Sequence, residues 1–332
     1  MAIHGSVKNF LSDPFLDISM GSSVDLSRAA LLAGMEGQVL NGVVGLDMSV
    51  KGGLENPGVK ISIHSNEAQF KEYSLQNFKF DSRMKDWLVT FAPSGFSSRQ
   101  GNLSLGGVIN LSKAFPKGLQ GAEKLDEIFY DLDAALDGVA LSALPEAGLP
   151  KKGLLASRIN FQGRGVDPEK IKADINAQLN GKGLWFKGMP EPVDADFQAQ
   201  IDFDRFKAGI RSVNLTSPGI SLTGHGSVHI SGREIAGHLD LEAADISLLA
   251  GLTGVQGRGN IKVSAEIDGP FSGPTASVSV LAENLGMNEI FIGNLALNAG
   301  LDHTGRISVD RLSLENKTSS LRAHGWADLM GK

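Results

Sequence analysis

The sequence predicts an all-β fold, an elongated sheet of repeated units with only a few short helices. Two observations predict it. Apolar and polar residues alternate with a period of two along about 17 segments, and a set of spaced motifs recurs three times in the same order. Alternation with this period places apolar side chains on one face of a strand and polar side chains on the other.

Composition excludes several classes of protein. Hydrophobic residues make up 42% of the 332 residues and charged residues 20%, which argues against a disordered chain. There is no cysteine, so disulfides, thiolate metal sites and cysteine nucleophiles are excluded. The net charge of −6, without a basic stripe, argues against nucleic acid as a partner. No apolar segment approaches the ~20 residues that span a bilayer, so we expect a soluble chain or a piece of a longer protein.

The alternating segments supply candidates for the apolar face of the sheet. A sheet with one apolar face must either fold over on itself into a closed core or curl into a groove that holds something apolar. Periodicity alone does not separate these alternatives. The candidate groove residues are Leu46, Met48, Val50, Ile61, Ile63, Ile159, Phe161, Ile175, Ile201, Phe203, Ile261, Val263, Val278 and Val280.

The first repeated motif has two glycines ten residues apart and a proline five residues after the second. Its glycines are predicted to open and end a strand, and its proline to fix the entry into the next strand. Arg164, beside the second glycine of the middle copy, has no basic counterpart in the other copies, so we predict a structural joint and not a phosphate site. The predicted hinges are Gly42, Gly52 and Pro57, then Gly153, Gly163 and Pro168, then Gly259, Gly269 and Pro274.

Two further motifs complete the repeat. One has a leucine four residues before a glycine and ends in alternating apolar residues, as at Leu222 and Gly226. The other is a short helical segment capped by an aspartate, predicted at Asp25, Asp137 and Asp245. The sequence therefore predicts one continuous array of three repeats, with approximate periods 1–107, 108–226 and 227–332. It also predicts a helical insertion at about 119–137.

No catalytic or metal-binding motif stands out. His225 and His229 have a zinc-like spacing, but their segment is predicted to be a strand, and histidine recurs at the equivalent repeat position. We therefore predict no metal, no cofactor and no catalytic residues, and thus not an enzyme. The enzymatic alternative is an envelope hydrolase or transferase whose pocket would gather Asp131, Asp133 and His303.

The ordered motifs resemble a known family. The segments that carry the resemblance are GVVGLDMSVKGGLENP from Gly42, GNIKVSAEIDGPFSGP from Gly259 and SVDRLSLENKTSSLRAHGWADL from Ser308. Together they resemble the AsmA-like superfamily of bacterial envelope proteins, its TamB-like members in particular. The resemblance covers essentially the whole chain and implies a β-taco, or repeating β-groove, fold.

The resemblance also implies a function. Such proteins are anchored in the inner membrane of Gram-negative bacteria, cross the periplasm and carry phospholipid acyl chains toward the outer membrane. TamB-like members also support assembly and secretion of outer-membrane proteins, with a barrel partner of the TamA type in the translocation and assembly module. The chain lacks the expected anchor and barrel-contacting segments, so we expect an internal fragment. The alternative is a non-enzymatic structural or adhesive β-repeat protein with a closed core.

Overall fold

The all-β prediction is confirmed. The structure, a computed structural model, describes residues 2–9, 11–28, 40–70, 73–98, 101–118, 124–143, 152–167, 169–185, 191–249, 257–287 and 290–328. Nineteen strands account for most of these residues. The described helical structure consists of short segments at 26–28, Leu125–Glu127, Leu141–Ala143 and Ile246–Leu249, and of residue 118.

The chain divides into two compact units, Met1–Val139 with Ala156–Ala173 and Ala140–Leu155 with Asp174–Lys332. The first holds β1 (Ala2–Lys8), β2 (Phe15–Asp25), β3 (Leu40–Gly53), β4 (Gly58–Phe70), β5 (Tyr73–Lys85), β6 (Leu88–Ser98), β7 (Gly101–Asn110) and nearly all of β8 (Phe129–Ala140). Residues of β9 (Lys152–Arg164) belong to both units. The second holds nearly all of β10 (Lys172–Trp185), then β11 (Val193–Asp204), β12 (Lys207–Ser217), β13 (Ile220–His229), β14 (Glu234–Ala243), β15 (Gly257–Pro270), β16 (Thr275–Met287), β17 (Ile290–Leu301), β18 (Arg306–Glu315) and β19 (Ser320–Asp328).

Strand pairing follows chain order. From β1 to β8 in the first unit, each strand pairs antiparallel with the next. The same holds from β11 to β19 in the second unit. Antiparallel neighbours need only short turns, which suits the many glycines of the sequence.

Three of the predicted hinge glycines share one backbone conformation. The φ angles of Gly42, Gly153 and Gly259 are 113°, 129° and 108°. L-residues that carry a side chain rarely adopt such φ values. The strand registers shift next to Gly42 and Gly259, so these two glycines mark irregularities within strands.

The later positions of the motif differ among its copies. Gly52 and Gly269 also have positive φ, 126° and 112°. Gly163 does not, and a Cβ placed on it would lie 2.7 Å from the Tyr130 ring. A Cβ there would also lie 2.5 Å from the Lys172 carbonyl oxygen, so the glycine makes room for both that carbonyl and the Tyr130 ring, which the motif alone does not predict. Pro57 and Pro274 directly precede β4 and β16, whereas Pro168 lies outside the described residues.

The predicted helical insertion at 119–137 is wrong for most of its length. Residues 129–137 belong to β8, and only Leu125–Glu127 form a helical turn, of the 3₁₀ type. The insertion's first five residues lie outside the described part of the chain. Four residues of one face pair with β7, namely Tyr130, Leu132, Ala134 and Leu136. The segment also has a helical spacing of apolar residues, but its pairing with β7 makes it a strand.

The aspartate caps are confirmed at two of three positions. The carboxylate of Asp25 accepts hydrogen bonds from the backbone N–H groups of Ser27 and Arg28, and that of Asp245 from Ser247. The hydroxyl of Ser27 and the N–H of Arg28 lower the pKa of Asp25. Asp137 instead lies inside β8, so it caps no helix.

Little of the described chain is deeply buried. Six of the eleven buried apolar residues are alanines, and no large side chain is less than 2% exposed. The larger buried side chains are Trp87, Tyr130, Val139, Leu141 and Leu184. The apolar rows of the sheet are therefore mostly half-buried, without the covering that a closed core would give them.

Candidate functional site: the apolar face of the sheet

The second unit has one continuous apolar face. Residues directly opposite each other in an antiparallel pair point to the same face, so the registers trace rows of side chains across the strands. One row crosses nine strands, β11 to β19, without a polar residue. It consists of Phe197, Leu215, Leu222, Leu241, Val263, Val280, Leu297, Leu312 and Ala323.

Neighbouring rows extend this apolar face along the strands. On one side lies the row Ile220, Ala243, Ile261, Ala282, Leu295, Leu314 and Leu321. On the other side, two residues beyond an intervening row, lies the row Ile201, Ile210, Gly226, Gly237, Ile267, Ala276, Leu301, Ile307 and Ala327. The face is thus aliphatic over several rows, with few aromatic rings.

The opposite face of the second unit is polar. A representative row consists of Gln198, Asn214, Thr223, Asp240, Ser264, Ser279, Asn298 and Arg311. The Ser264 hydroxyl and the His238 ring hydrogen-bond to Asp240 and lower its pKa. Cross-strand pairs such as Lys262 with Glu242, 3.0 Å between Nζ and Oε1, are typical of a solvated face.

The predicted groove residues of the second unit share the apolar face. Ile201, Phe203, Ile261, Val263, Val278 and Val280 all belong to its rows. The face to which Ile175 points follows from the contacts of its neighbour. Its neighbour Asp174 contacts Arg211, which also bonds Asp202 on the polar face, so Ile175 points to the apolar face.

The predicted groove residues of the first unit also share one face. Leu46 pairs with Ile63, Met48 with Ile61, and Val50 with Val59. The register continues to Phe80, Ser82 and Met84 of β5.

Side-chain contacts place Ile159 and Phe161 on that face as well. The Phe161 ring stacks on Tyr130 with 4.9 Å between centroids, and Tyr130 pairs with Ile109 in an apolar row. Asn160, between the two candidates, points the other way and donates to Asp131. All fourteen predicted residues therefore lie on an apolar face of their own unit.

A cavity of about 690 Å³ lies on the apolar face of the second unit. Its volume is within the 300–1,000 Å³ range of small-molecule sites. Gly226 and Gly237 pair across β13 and β14 at its floor, where the missing side chains leave the backbone uncovered. The aliphatic side chains along it include Ile210, Val228, Ile235, Leu239, Ile267 and Val278.

A second cavity, of about 710 Å³, lies in the first unit. It follows an apolar row of that unit. The row residues along it are Met20, Met48, Ile61, Ser82 and Phe91. Each unit thus carries an apolar cavity on the face that the alternation predicted.

The residues named for an enzymatic alternative, and Arg164 of the predicted joint, take part in contacts of the strands and turns. Asp131 and Asp133 both accept hydrogen bonds from Asn160, at 2.9 and 3.1 Å. Arg164 lies 3.8 Å from Glu127, between Nη1 and Oε2. The carbonyl of His303 lies close to Gly273, at a turn.

Sequence reasoning missed several residues of the apolar rows. Leu215, Leu241, Leu297 and Leu312 belong to the longest row but were not singled out. The signal was present in alternating segments such as GHLDLEA from Gly237, which follows the same period of two.

Within the described ranges, no group of three or more His, Cys, Asp or Glu side chains is placed to hold a metal ion. No helix in those ranges is long and apolar enough to cross a membrane. No protein-family model, curated protein or solved structure matches the chain significantly.

Proposed function

We propose that this chain is part of a phospholipid conduit of the AsmA-like, TamB-like type. Acyl chains lie along the apolar face, in a groove of the β-taco kind. The observation that carries the proposal is the uncovered aliphatic face, nine strands wide in the second unit. An aliphatic surface suits acyl chains because they need no specific polar contacts.

The proposal includes a cellular setting. The conduit crosses the periplasm of a Gram-negative bacterium and moves phospholipid between the inner and outer membranes. It is anchored in the inner membrane through a segment outside this chain and meets an outer-membrane barrel protein of the TamA type. In that setting it supports outer-membrane biogenesis and the assembly or secretion of outer-membrane proteins. The support for this setting is the motif resemblance.

The competing proposal is a structural or adhesive β-repeat protein with a closed core. Burial argues against it, because alanine makes up more than half of the buried apolar residues in the described part of the chain, and the large apolar side chains of the rows stay partly exposed. A closed core would bury leucine, isoleucine and phenylalanine in preference to alanine. The open face fits a protein that holds an apolar ligand better.

Mass spectrometry of lipids extracted from the purified protein tests the proposal. The chain is exported to the periplasm of a Gram-negative host, purified without detergent and extracted with organic solvent. We expect phospholipid in at least an equimolar amount. The protein should also take up a phospholipid with a fluorescent acyl chain. Absence of both co-purified lipid and uptake would refute the proposal.

A further inference from the structure

Three neighbouring hairpin turns of the second unit form what we call the hairpin lip, residues 205–206, 230–233 and 271. They lie at the same end of their strands, since β11, β13 and β15 all run toward it. Backbone hydrogen bonds tie them together. The Ile230 N–H donates to the Phe206 carbonyl at 2.9 Å, and the Phe271 N–H donates to the Arg233 carbonyl at 2.7 Å.

Each turn of the hairpin lip exposes a large apolar side chain. Phe206 is 40% exposed, Ile230 62% and Phe271 48%. Isolated exposed apolar residues are common, but three on adjoining turns make a patch. Patches of this kind mark sites that contact another apolar surface or ligand.

Two arginines of the hairpin lip have unusual backbone angles. Arg205 has a φ of 56° and Arg233 a φ of 53°, in the left-handed region where glycine and asparagine are the favourable residues. Neither guanidinium makes an ion pair or hydrogen bond with another described residue. A residue that breaks a local rule without structural gain points to a function.

The acidic residues nearby are arranged differently. Asp204, Glu234 and Asp268 are strand residues, and their registers place them in polar-face rows. Glu234, for example, lies 4.0 Å from His229 on that face. The two arginines belong to the turns themselves, so the hairpin lip carries positive charge beside its apolar patch.

The hairpin lip is continuous with the apolar cavity of the second unit. Ala208, Val228 and Ile235 line the cavity, and each is two residues from a residue of the lip. The cavity therefore leads from an aliphatic floor to exposed apolar side chains and the guanidinium groups of Arg205 and Arg233. That order matches an amphiphile with acyl chains and an anionic headgroup.

Spacing and chemistry favour a phosphate as the anionic group. The turns that carry Arg205 and Arg233 are two strands apart, roughly 10 Å at the usual strand separation. A phosphate between them is within reach of both long side chains. Guanidinium groups bind phosphate oxygens through paired N–H donors, with more geometric specificity than a lysine ammonium.

We propose that the hairpin lip binds the phosphodiester of a single phospholipid whose acyl chains occupy the adjoining cavity. This rests on the proposed lipid-carrying function and adds a headgroup site to it. Arg205 and Arg233 bind the phosphate, and Phe206, Ile230 and Phe271 contact the lipid where its chains leave the cavity.

Substitution of both arginines by asparagine tests the proposal. Asparagine tolerates positive φ, so the Arg205→Asn/Arg233→Asn variant should have a higher unfolding midpoint than the parent chain. Its affinity for dihexanoyl phosphatidylglycerol, measured by calorimetry below the micelle concentration, should fall about tenfold or more. Its affinity for dihexanoylglycerol, which lacks the phosphate, should not change. Lys262→Gln, on the polar face, is the matched control and should leave both affinities unchanged.

The outcomes separate failure of the site from failure of the function. If the parent chain binds neither ligand, the proposed function fails and the headgroup site with it. If it binds both and the double variant behaves like the parent, the headgroup site is wrong while the function stands. If glycerol phosphate binds as tightly as the phospholipid, the hairpin lip is a site for free phosphate and the proposal that it holds a phospholipid is wrong. Binding to vesicles of phosphatidylglycerol but not to the monomeric lipid would overturn it in favour of a membrane contact.

Discussion

Gln200 and Ile201 are consecutive on β11 but lie on opposite faces of the second unit. Ile201 pairs with Ile210 in an apolar row, and Gln200 pairs with Ser212 in a polar one. This pair offers a test in which the same charge is placed on either face of the same strand, one residue apart.

Ile201→Lys should abolish most lipid binding while the protein remains folded. A lysine on the apolar face puts an ammonium where acyl chains would lie, and a charge in an apolar site is strongly unfavourable. Because the face is partly exposed, the free energy of unfolding should fall by only about 1 kcal/mol. The readouts are co-purified phospholipid, by mass spectrometry, and urea unfolding.

Gln200→Lys is the control and should leave both lipid content and stability unchanged. If Ile201→Lys instead unfolds the second unit, the apolar rows form a closed core. Equal lipid content in both variants would show that the apolar face does not hold the lipid.

Gly259→Ala should destabilise the protein, whereas Gly237→Ala should not. Gly259 has a φ of 108°, and a Cβ there would lie 2.6 Å from the Glu283 carbonyl oxygen. The expected cost is about 1–3 kcal/mol in the free energy of unfolding. Gly237 has no positive φ, and its nearest atoms would be 3.5 Å from an added Cβ. Equal unfolding curves for the two variants would contradict the assignment of Gly259 as a conformational hinge.

Tyr130→Phe should leave stability unchanged or raise it by about 1 kcal/mol. The Tyr130 side chain is buried, and its hydroxyl has no hydrogen-bond partner among the described residues. The substitution keeps the ring that stacks on Phe161 and removes the unsatisfied hydroxyl. Urea unfolding at neutral pH measures the change. A clear loss of stability would mean that the hydroxyl has a partner.

The same substitution should change stability at alkaline pH. Burial raises the pKa of Tyr130 above its ordinary value of 10.0. The unfolded chain therefore loses this proton first, and the contribution of Tyr130 to stability, complete below pH 10, declines as pH rises through the folded pKa. Unfolding measured from pH 9 to 11 should show a smaller decline in Tyr130→Phe than in the parent chain. Identical declines would contradict a raised pKa.

Trp87→Ala should destabilise the first unit by about 3–5 kcal/mol. Trp87 is 8% exposed, stacks on Phe115 with 5.1 Å between ring centroids, and donates its indole N–H to the Glu55 carbonyl at 2.9 Å. Trp326, 65% exposed on β19, is the matched control, and Trp326→Ala should cost less than about 1 kcal/mol. The two losses are compared by urea unfolding; similar values would mean that the Trp87 cluster contributes little.

The sequence predicted the sheet and its apolar face because both depend on a local period of two. Ile261 and Val263 could be assigned to one face from their own segment, and their partners Ala282 and Val280 extend that face. The helical insertion failed because Leu125, Ile128 and Leu132 also fit a helical spacing. Pairing with β7, which ends well before this segment begins, settles its structure, and no local pattern reveals that pairing.

The hairpin lip could not be predicted from the alternation. Arg205 and Arg233 lie in turns, where no period applies, and their positive φ follows from the hairpin geometry. Their closeness to Phe206 and Phe271 depends on backbone bonds between neighbouring turns. The sequence offers one weak signal, since an arginine occupies a tight turn where asparagine or glycine is the usual residue.

Pairing between consecutive strands also bears on how the protein is made. Each described register joins a strand to the next one in the chain, so the contacts of every hairpin are complete once its second strand has emerged. Pairing between chain neighbours closes only short loops, so each hairpin pays little entropy for loop closure. A chain threaded into a new compartment from one end could therefore acquire its structure in the order of its synthesis, strand upon strand, without waiting for its last residue.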